Sequence, residues 1–202
     1  MQETELIEAA SKGDLNSFNH LVLQYQNLLY TQAYRMMGEP DSAEDLTQEA
    51  FIIAYRKLHT FRGGSFKAWL MRIATNLCYD ELRRYKRRPV TALDPLDQNQ
   101  EEIESPHWLT DPGESPEEAV ERQELANAIQ DCLNQLSPEY KAVVVLVDFQ
   151  EMDYSEAAQV VGTPLGTIKS RLARARTRLK DCLLGVWELL PASLRLMRES
   201  EL

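Results

Sequence analysis

From Pro89 to about Glu118 the apolar periodicity that organises the rest of the chain stops. The stretch "DPLDQNQEEIESPHWLTDPGESPEE" is dense in Asp and Glu, holds four Pro and offers few apolar side chains to bury. Such a composition cannot offset the entropy of an ordered backbone, so it reads as a flexible acidic linker. The 202-residue chain is thereby cut into two segments, each long enough for a small domain. The pair Trp108-Leu109 is an apolar island inside the linker and reads as a local docking contact.

Both flanking segments carry apolar residues at helical spacing. In "LNSFNHLVLQYQNLLYTQAYRMMG", Phe18, Leu21, Val22, Tyr25, Leu28, Leu29, Ala33 and Met36 form one broad face that ends at Gly38. Pro40, Asp41 and Ser42 open the next helix, and Gly63-Gly64 break the chain after it. A further helix runs to Pro89, with Phe66, Trp69, Leu70, Ile73, Leu77 and Leu82 expected to face inward. Beyond the linker, Val120, Leu125, Ile129, Leu133 and Leu136 share a stripe. The Val/Leu run of "SPEYKAVVVLVDFQ" could pass for a strand. Ser137 as N-cap and Pro138 at the first helical position favour a buried helix. The fold class expected is all-α: two small helical domains joined by the linker.

The formal charge of −10 conceals an uneven distribution. Residues 1–53 hold nine acids against Lys12 and Arg35; residues 54–88 hold ten bases against Asp80 and Glu81; residues 89–124 hold eleven acids against Arg122. Six Lys or Arg and no acid then lie between Thr163 and Lys180. Two basic patches separated by an acidic connector suit a polyanion partner. No apolar run approaches a membrane span, and the acidic N-terminus is unlike a signal peptide. Cys78, Cys132 and Cys182 are far apart and form no metal-ligand spacing, so they read as reduced, buried fillers in a cytoplasmic protein. No metal, cofactor or catalytic constellation is legible.

The second basic patch lies in a helix-turn-helix pattern. Tyr154–Val161 and Leu165–Lys180 are helical, and Gly162-Thr163-Pro164 is a tight turn in which Gly162 closes the first helix and Thr163 caps the second. Leu165, Ile168, Leu172, Ala175 and Leu179 face inward at intervals of three and four. Lys169, Ser170, Ala173 and Arg174 then point outward, and Lys169, Arg171 and Arg174 can reach base edges or phosphates. Arg176, Arg178 and Lys180 suit phosphates. A solvated basic helix is the bland alternative; the capped turn and the absence of acids favour DNA.

Two long motifs carry a resemblance. "DSAEDLTQEAFIIAYRKLHTFRGGSFKAWLMRIATNLCYDELRR" resembles region 2 of bacterial sigma factors of the extracytoplasmic-function group, and "LSPEYKAVVVLVDFQEMDYSEAAQVVGTPLGTIKSRLARARTRL" resembles their region 4. The resemblance implies region 2 over 1–89, a linker over 90–118, region 4 over 119–182 and an extension over 183–202. It implies a transcription initiation factor, not an enzyme, that binds core RNA polymerase and directs it to promoters. Asp45, Gln48, Glu49, Ile52, Ile53 and Arg56 map onto the surface that docks on the clamp helices of the largest subunit. Region 4 is expected at the flap of the second-largest subunit. Lys57, Phe61 and Asn76 map onto the pocket for a flipped −10 base, where an aromatic wall and an amide suit an unstacked base. Arg83, Arg84, Lys86, Arg87 and Arg88 suit phosphates of the −10 duplex. Lys169, Ser170, Ala173 and Arg174 map onto the −35 readers, with Arg171, Arg176 and Arg178 beside them. The acidic linker is expected to thread toward the polymerase active centre as an imitation of RNA. An anti-sigma factor, often membrane-bound, is the implied regulator. A receiver-bearing sigma mimic does not fit, since the chain has no room for a receiver domain. A recombinase does not fit either, for want of a nucleophile cluster.

Overall fold

The computed structural model describes residues 2–87 and 115–185. Arg88, most of the linker with its Trp108-Leu109 island, and the extension from residue 186 lie outside the described residues. Everything described is helix, turn or loop, in keeping with the all-α expectation.

Four helices make the first half: α1 (Glu3–Ser11), α2 (Leu15–Met37), α3 (Pro40–Lys57) and α4 (Phe66–Arg87), with a short 3₁₀ turn at Leu58–Thr60. The punctuation read from sequence sets their ends. Asp14 caps α2 by accepting from the Asn16 amide at 3.1 Å and the Ser17 hydroxyl at 2.6 Å. Gly38 ends α2 in the left-handed region, at φ 83°. Pro40 stands at the first turn of α3, where its missing N–H costs nothing. The Tyr25 hydroxyl donates to the Glu3 carboxylate and ties α1 to α2.

The second half holds α5 (Pro116–Asn134), α6 (Pro138–Val144), α7 (Tyr154–Val161) and α8 (Leu165–Gly185). The ambiguous Val/Leu run is helical, with one difference: α6 passes directly into a π-helical turn at Val145–Phe149. Val143, Val144, Val145 and Leu146 are all essentially inaccessible, so the run is buried on every side, which is why its pattern looked strand-like. Ser137 precedes α6 without a side-chain capping bond, and Pro138 alone provides the expected start.

The two halves are not beads on a string. Leu21, Leu29, Leu70 and Met71 from the first half and Leu133, Leu146, Ile168 and Leu172 from the second belong to one contiguous buried cluster. Helix α4 is the element most changed by this. Of its expected inward stripe, Phe66 and Leu70 are buried but Trp69, Ile73, Leu77 and Leu82 are only half-buried, whereas Ala68, Met71, Ala74, Thr75 and Cys78 are buried as well. The reason is that α4 is covered on two sides, by α2 and α3 and by α7.

A polar belt surrounds the shared core. Gln130 of α5 donates to the Arg35 carbonyl at 3.3 Å and accepts from its guanidinium at 3.2 Å. The buried Lys141 ammonium donates to the Met36 carbonyl at 3.1 Å and to Asn134 Oδ1 at 2.9 Å. Gln150 donates to the Leu28 carbonyl at 3.1 Å, and Lys67 donates to the Gln150 carbonyl at 2.7 Å. The Arg35 guanidinium also lies 4.9 Å from the Phe149 ring centre. Each such bond is worth about 1 kcal/mol net, more where charged, but leaving one unmade in a buried seam costs about 1–3 kcal/mol. The belt therefore specifies how the halves dock more than it drives the docking.

This seam has a pH signature. Burial pushes the Cys78 thiol from 9.0 up to about 12 and pulls Lys141 from 10.5 down to about 8. A raised thiol loses stability as pH climbs past 9, because the unfolded thiol ionises first; a depressed lysine regains stability over 8 to 10.5, because the folded state sheds its proton first. The two trends oppose each other. Denaturant titrations of Lys141→Met are expected to show stability falling by about 2 kcal/mol from pH 9 to 10.5. The parent should fall less over the same range, because its Lys141 gain offsets the Cys78 loss, while the raised phenols of Tyr25, Tyr30 and Tyr79 lower the stability of both proteins above pH 10.

Candidate nucleic-acid interface

Helix α7 begins with a capping box that the motif reading passed over. Asp153 accepts from the amides of Ser155 and Glu156 at 2.7 and 2.8 Å, and the Glu156 carboxylate accepts from the Asp153 amide at 3.4 Å. Gly162 closes α7 at φ 70°, a conformation that favours glycine. The turn into α8 differs in one detail from expectation. Thr163 does not cap α8: its hydroxyl oxygen is buried without a hydrogen-bond partner. Its amide donates to the Ala158 carbonyl at 3.1 Å, which binds it into the end of α7. The first acceptor of α8 is the Pro164 carbonyl, which takes the amides of Thr167 and Ile168.

On α8, Ile168, Leu172 and Ala175 are buried and Leu179 is half-buried, as the spacing requires. Leu165 is the exception at 44% exposed, because the first turn overhangs the core. Lys169, Ser170, Ala173 and Arg174 form an exposed outer strip, and Arg171 is half-buried beside it. The remaining bases are less free. Arg176 makes a two-point ion pair with Asp148, and the Arg178 guanidinium sits 4.9 Å from the centre of the Tyr140 ring. The structure thus separates Lys169 and Arg174, which have no partner among the described residues, from Arg176 and Arg178, which are held by their own domain.

The basic end of α4 is also exposed. Arg83 pairs with Asp80 at 3.3 Å, Arg84 with Glu81 at 2.7 Å, and the Arg87 guanidinium donates to the Arg83 carbonyl at 3.2 Å. These are surface contacts of neighbouring turns, each worth a few tenths of a kcal/mol, ~0.3–0.5, and phosphates would displace them readily. Lys86 is exposed. Phe61 is half-buried and packs on Phe66 and Trp69 at ring-centre distances of 5.5 and 5.6 Å. Asn76 is exposed and shares a helix stripe with Trp69, about 10 Å further along the axis. Arg72, exposed between them on that stripe, was not singled out from sequence. Its signal was its position four residues before Asn76. Lys57 is exposed at the end of α3.

A third surface is acidic and apolar. Asp45, Gln48, Glu49, Ile52 and Arg56 are exposed on α3, and Ile53 is half-buried. Ile52 is 51% accessible and Tyr55 is 37% accessible, both in the last third of α3. A groove of about 450 Å³ between α2 and α3 borders Glu44 and Gln48.

Burial raises the Tyr79 phenol of α4 to about 12; the Glu139 carboxylate of α6 adds to this, and the charges of Arg171 on α8 and Arg83 oppose it.

The model of sigma-70 region 2 matches residues 21–88, and that of sigma-70 region 4 matches residues 126–179. The chain is 37% identical over 183 residues to the RNA polymerase sigma-H factor of Pseudomonas aeruginosa, covering 90% of this chain and 94% of that protein. It is 38% identical over 167 residues to the ECF RNA polymerase sigma factor SigE of Mycolicibacterium smegmatis, covering 83% of this chain but only 62% of that longer relative. Among solved structures, the sigma factor RpoE of Bartonella quintana, in complex with the anti-sigma factor NepR, superposes with a TM-score of 0.62 at 26% identity. That match covers 84% of this chain and 98% of that one. With a region 2 match and a region 4 match in order on one all-helical chain, this protein belongs to the extracytoplasmic-function sigma factors of the sigma-70 family.

Proposed function

We infer that the chain is a transcription initiation factor that binds core RNA polymerase and directs it to promoters, with no catalysis of its own. The observation that carries this is the outer strip of α8, with Lys169, Ser170, Ala173 and Arg174 exposed opposite the buried Ile168, Leu172 and Ala175. In this reading the strip reads −35 base edges, assisted by Arg171, while Arg176 and Arg178 meet phosphates after leaving Asp148 and Tyr140. Lys57, Phe61 and Asn76 receive the flipped −10 base; Arg83, Arg84, Lys86, Arg87 and Arg88 hold the neighbouring phosphates, and Arg72 joins them. The α3 surface of Asp45, Gln48, Glu49, Ile52, Ile53 and Arg56 docks on the polymerase clamp helices. Residues 1–89 act as region 2, 90–118 as the linker, 119–182 as region 4 and 183–202 as an extension. The site of action is the cytoplasm, where polymerase and DNA meet.

The docked halves cannot serve both promoter elements at once. Elements about 25 base pairs apart lie on the order of 80 Å apart along B-DNA. A single packed body of this size is roughly 40 Å across. The initiating form is therefore open, with the seam of Gln130, Lys141 and Gln150 parted, and the form described here is its closed counterpart. An anti-sigma factor, such as the partner of the Bartonella protein, would act by holding the closed form.

Co-migration with core RNA polymerase tests the reading. Glu49→Arg with Ile52→Glu is expected to weaken that association about 100-fold, since an exposed apolar anchor and its charged neighbour are both lost. Undiminished binding by that variant would remove α3 from the interface; no binding by the parent chain would overturn the assignment.

A further inference from the structure

Two cysteines 50 residues apart in sequence are bonded in this structure, contrary to the expectation of three reduced fillers. Cys132 on α5 and Cys182 near the end of α8 form a disulfide with a Cα–Cα distance of 5.7 Å. The sequence did not show the pairing because only the packing of α5 on α8 brings them together. Cys78 remains a free, buried thiol.

The position of the bond is informative. Cys132 is 1% exposed; two residues before it Gln130 reaches Arg35 across the seam, and two residues after it Asn134 accepts from Lys141, whose ammonium crosses the seam to the Met36 carbonyl. Gly38, at the end of α2, lies close against Asn134: a Cβ there would meet it at 2.9 Å. Helix α5 is thus held by α8 on one side and by α2 on the other. Cys182 is half-buried on the last turn of α8, so it is the sulfur a small reagent meets first.

We propose that Cys132 and Cys182 are a reversible oxidation site, and that forming their bond favours the closed arrangement of the two halves. In the closed form α5 is already pinned from two sides; in the open form only α8 holds it. A crosslink between α5 and α8 therefore removes more freedom from the open form and shifts the balance toward closed. The oxidant is hydrogen peroxide. The Cys182 thiolate attacks the peroxide oxygen, the O–O bond breaks, and a sulfenic acid and hydroxide result. The Cys132 thiolate then attacks the Cys182 sulfur and expels the sulfenic oxygen as hydroxide. Two electrons pass from the two thiols to the peroxide, and the two thiol protons leave with its oxygens as two waters. A dithiol reductant reverses the change by exchange at Cys182.

The proposal rests on the opening described above but not on any promoter or polymerase contact, so it can fail alone. The full chain is treated with hydrogen peroxide or with dithiothreitol, then followed by peptide mapping, small-angle scattering and amide exchange. Peroxide is expected to give the Cys132–Cys182 crosslink within one molecule, leaving Cys78 unmodified. The reduced chain should show a larger mean radius and about tenfold faster exchange in residues 126–134 and 33–38, and should melt roughly 5–10 °C lower. Cys182→Ser should match the reduced chain with or without peroxide. No intramolecular bond would overturn the proposal. So would a bond that leaves radius and exchange at the seam unchanged, which would make it a staple of region 4 alone.

Discussion

Replacing Lys169 and Arg174 together by Ala is expected to weaken binding to matched −35 duplex by about 30- to 1,000-fold, or roughly 2–4 kcal/mol. Binding to scrambled duplex should fall far less. Each side chain projects from the outer strip of α8 with no partner among the described residues, so its removal costs the fold little. A bidentate contact to a base edge is worth about 1–3 kcal/mol, and two contacts a turn apart should nearly add. Arg178→Ala gives the contrasting result. It removes a phosphate contact and should lower affinity evenly across sequences, with a shallower dependence on salt. Titrations of matched and scrambled duplexes at two salt concentrations check both. Equal losses on both sequences for the Lys169/Arg174 pair would remove base reading from this strip.

Leu146→Ala should lower the melting temperature by about 8–15 °C, from a loss of 3–4 kcal/mol. Leu146 is fully buried in the π-helical turn, and its carbonyl accepts the Met152 amide at 3.0 Å. The same buried cluster reaches Leu29 on α2 and Leu70 on α4. A cavity there therefore weakens both halves, and amide exchange should accelerate in α2 and α4 as well as in α6 and α8. Acceleration confined to α6, α7 and α8 would show that the halves do not share a core in solution.

Local structure was legible where one residue decides it. Gly38 and Gly162 end helices because they take left-handed backbone, and Pro40 and Pro138 start them because a first-turn residue needs no N–H. The inner face of α8 followed from spacing, except at Leu165, where a helix end outruns its core. What the sequence withheld depends on docking. Spacing suggests one face for α4, but the helix is buried on two, and the second is lined by Ala68, Ala74, Thr75 and Cys78, small residues that spacing does not mark. Lys141 is 5% exposed, with the end of α2 as its acceptor, and nothing beside it in the sequence marks that contact. The cysteine pair and the Arg176–Asp148 pair likewise join residues that only tertiary packing brings together. The exposed strip of α8 was accessible to sequence because it lies on one helix; the seam was not, because its members come from several.

The most direct measurement is to add the protein to core RNA polymerase on genomic DNA and map the 5′ ends of the transcripts. The account predicts new start sites that share one −10/−35 pair and are lost with the Lys169/Arg174 double substitution. Start sites indistinguishable from those of core polymerase alone would contradict it.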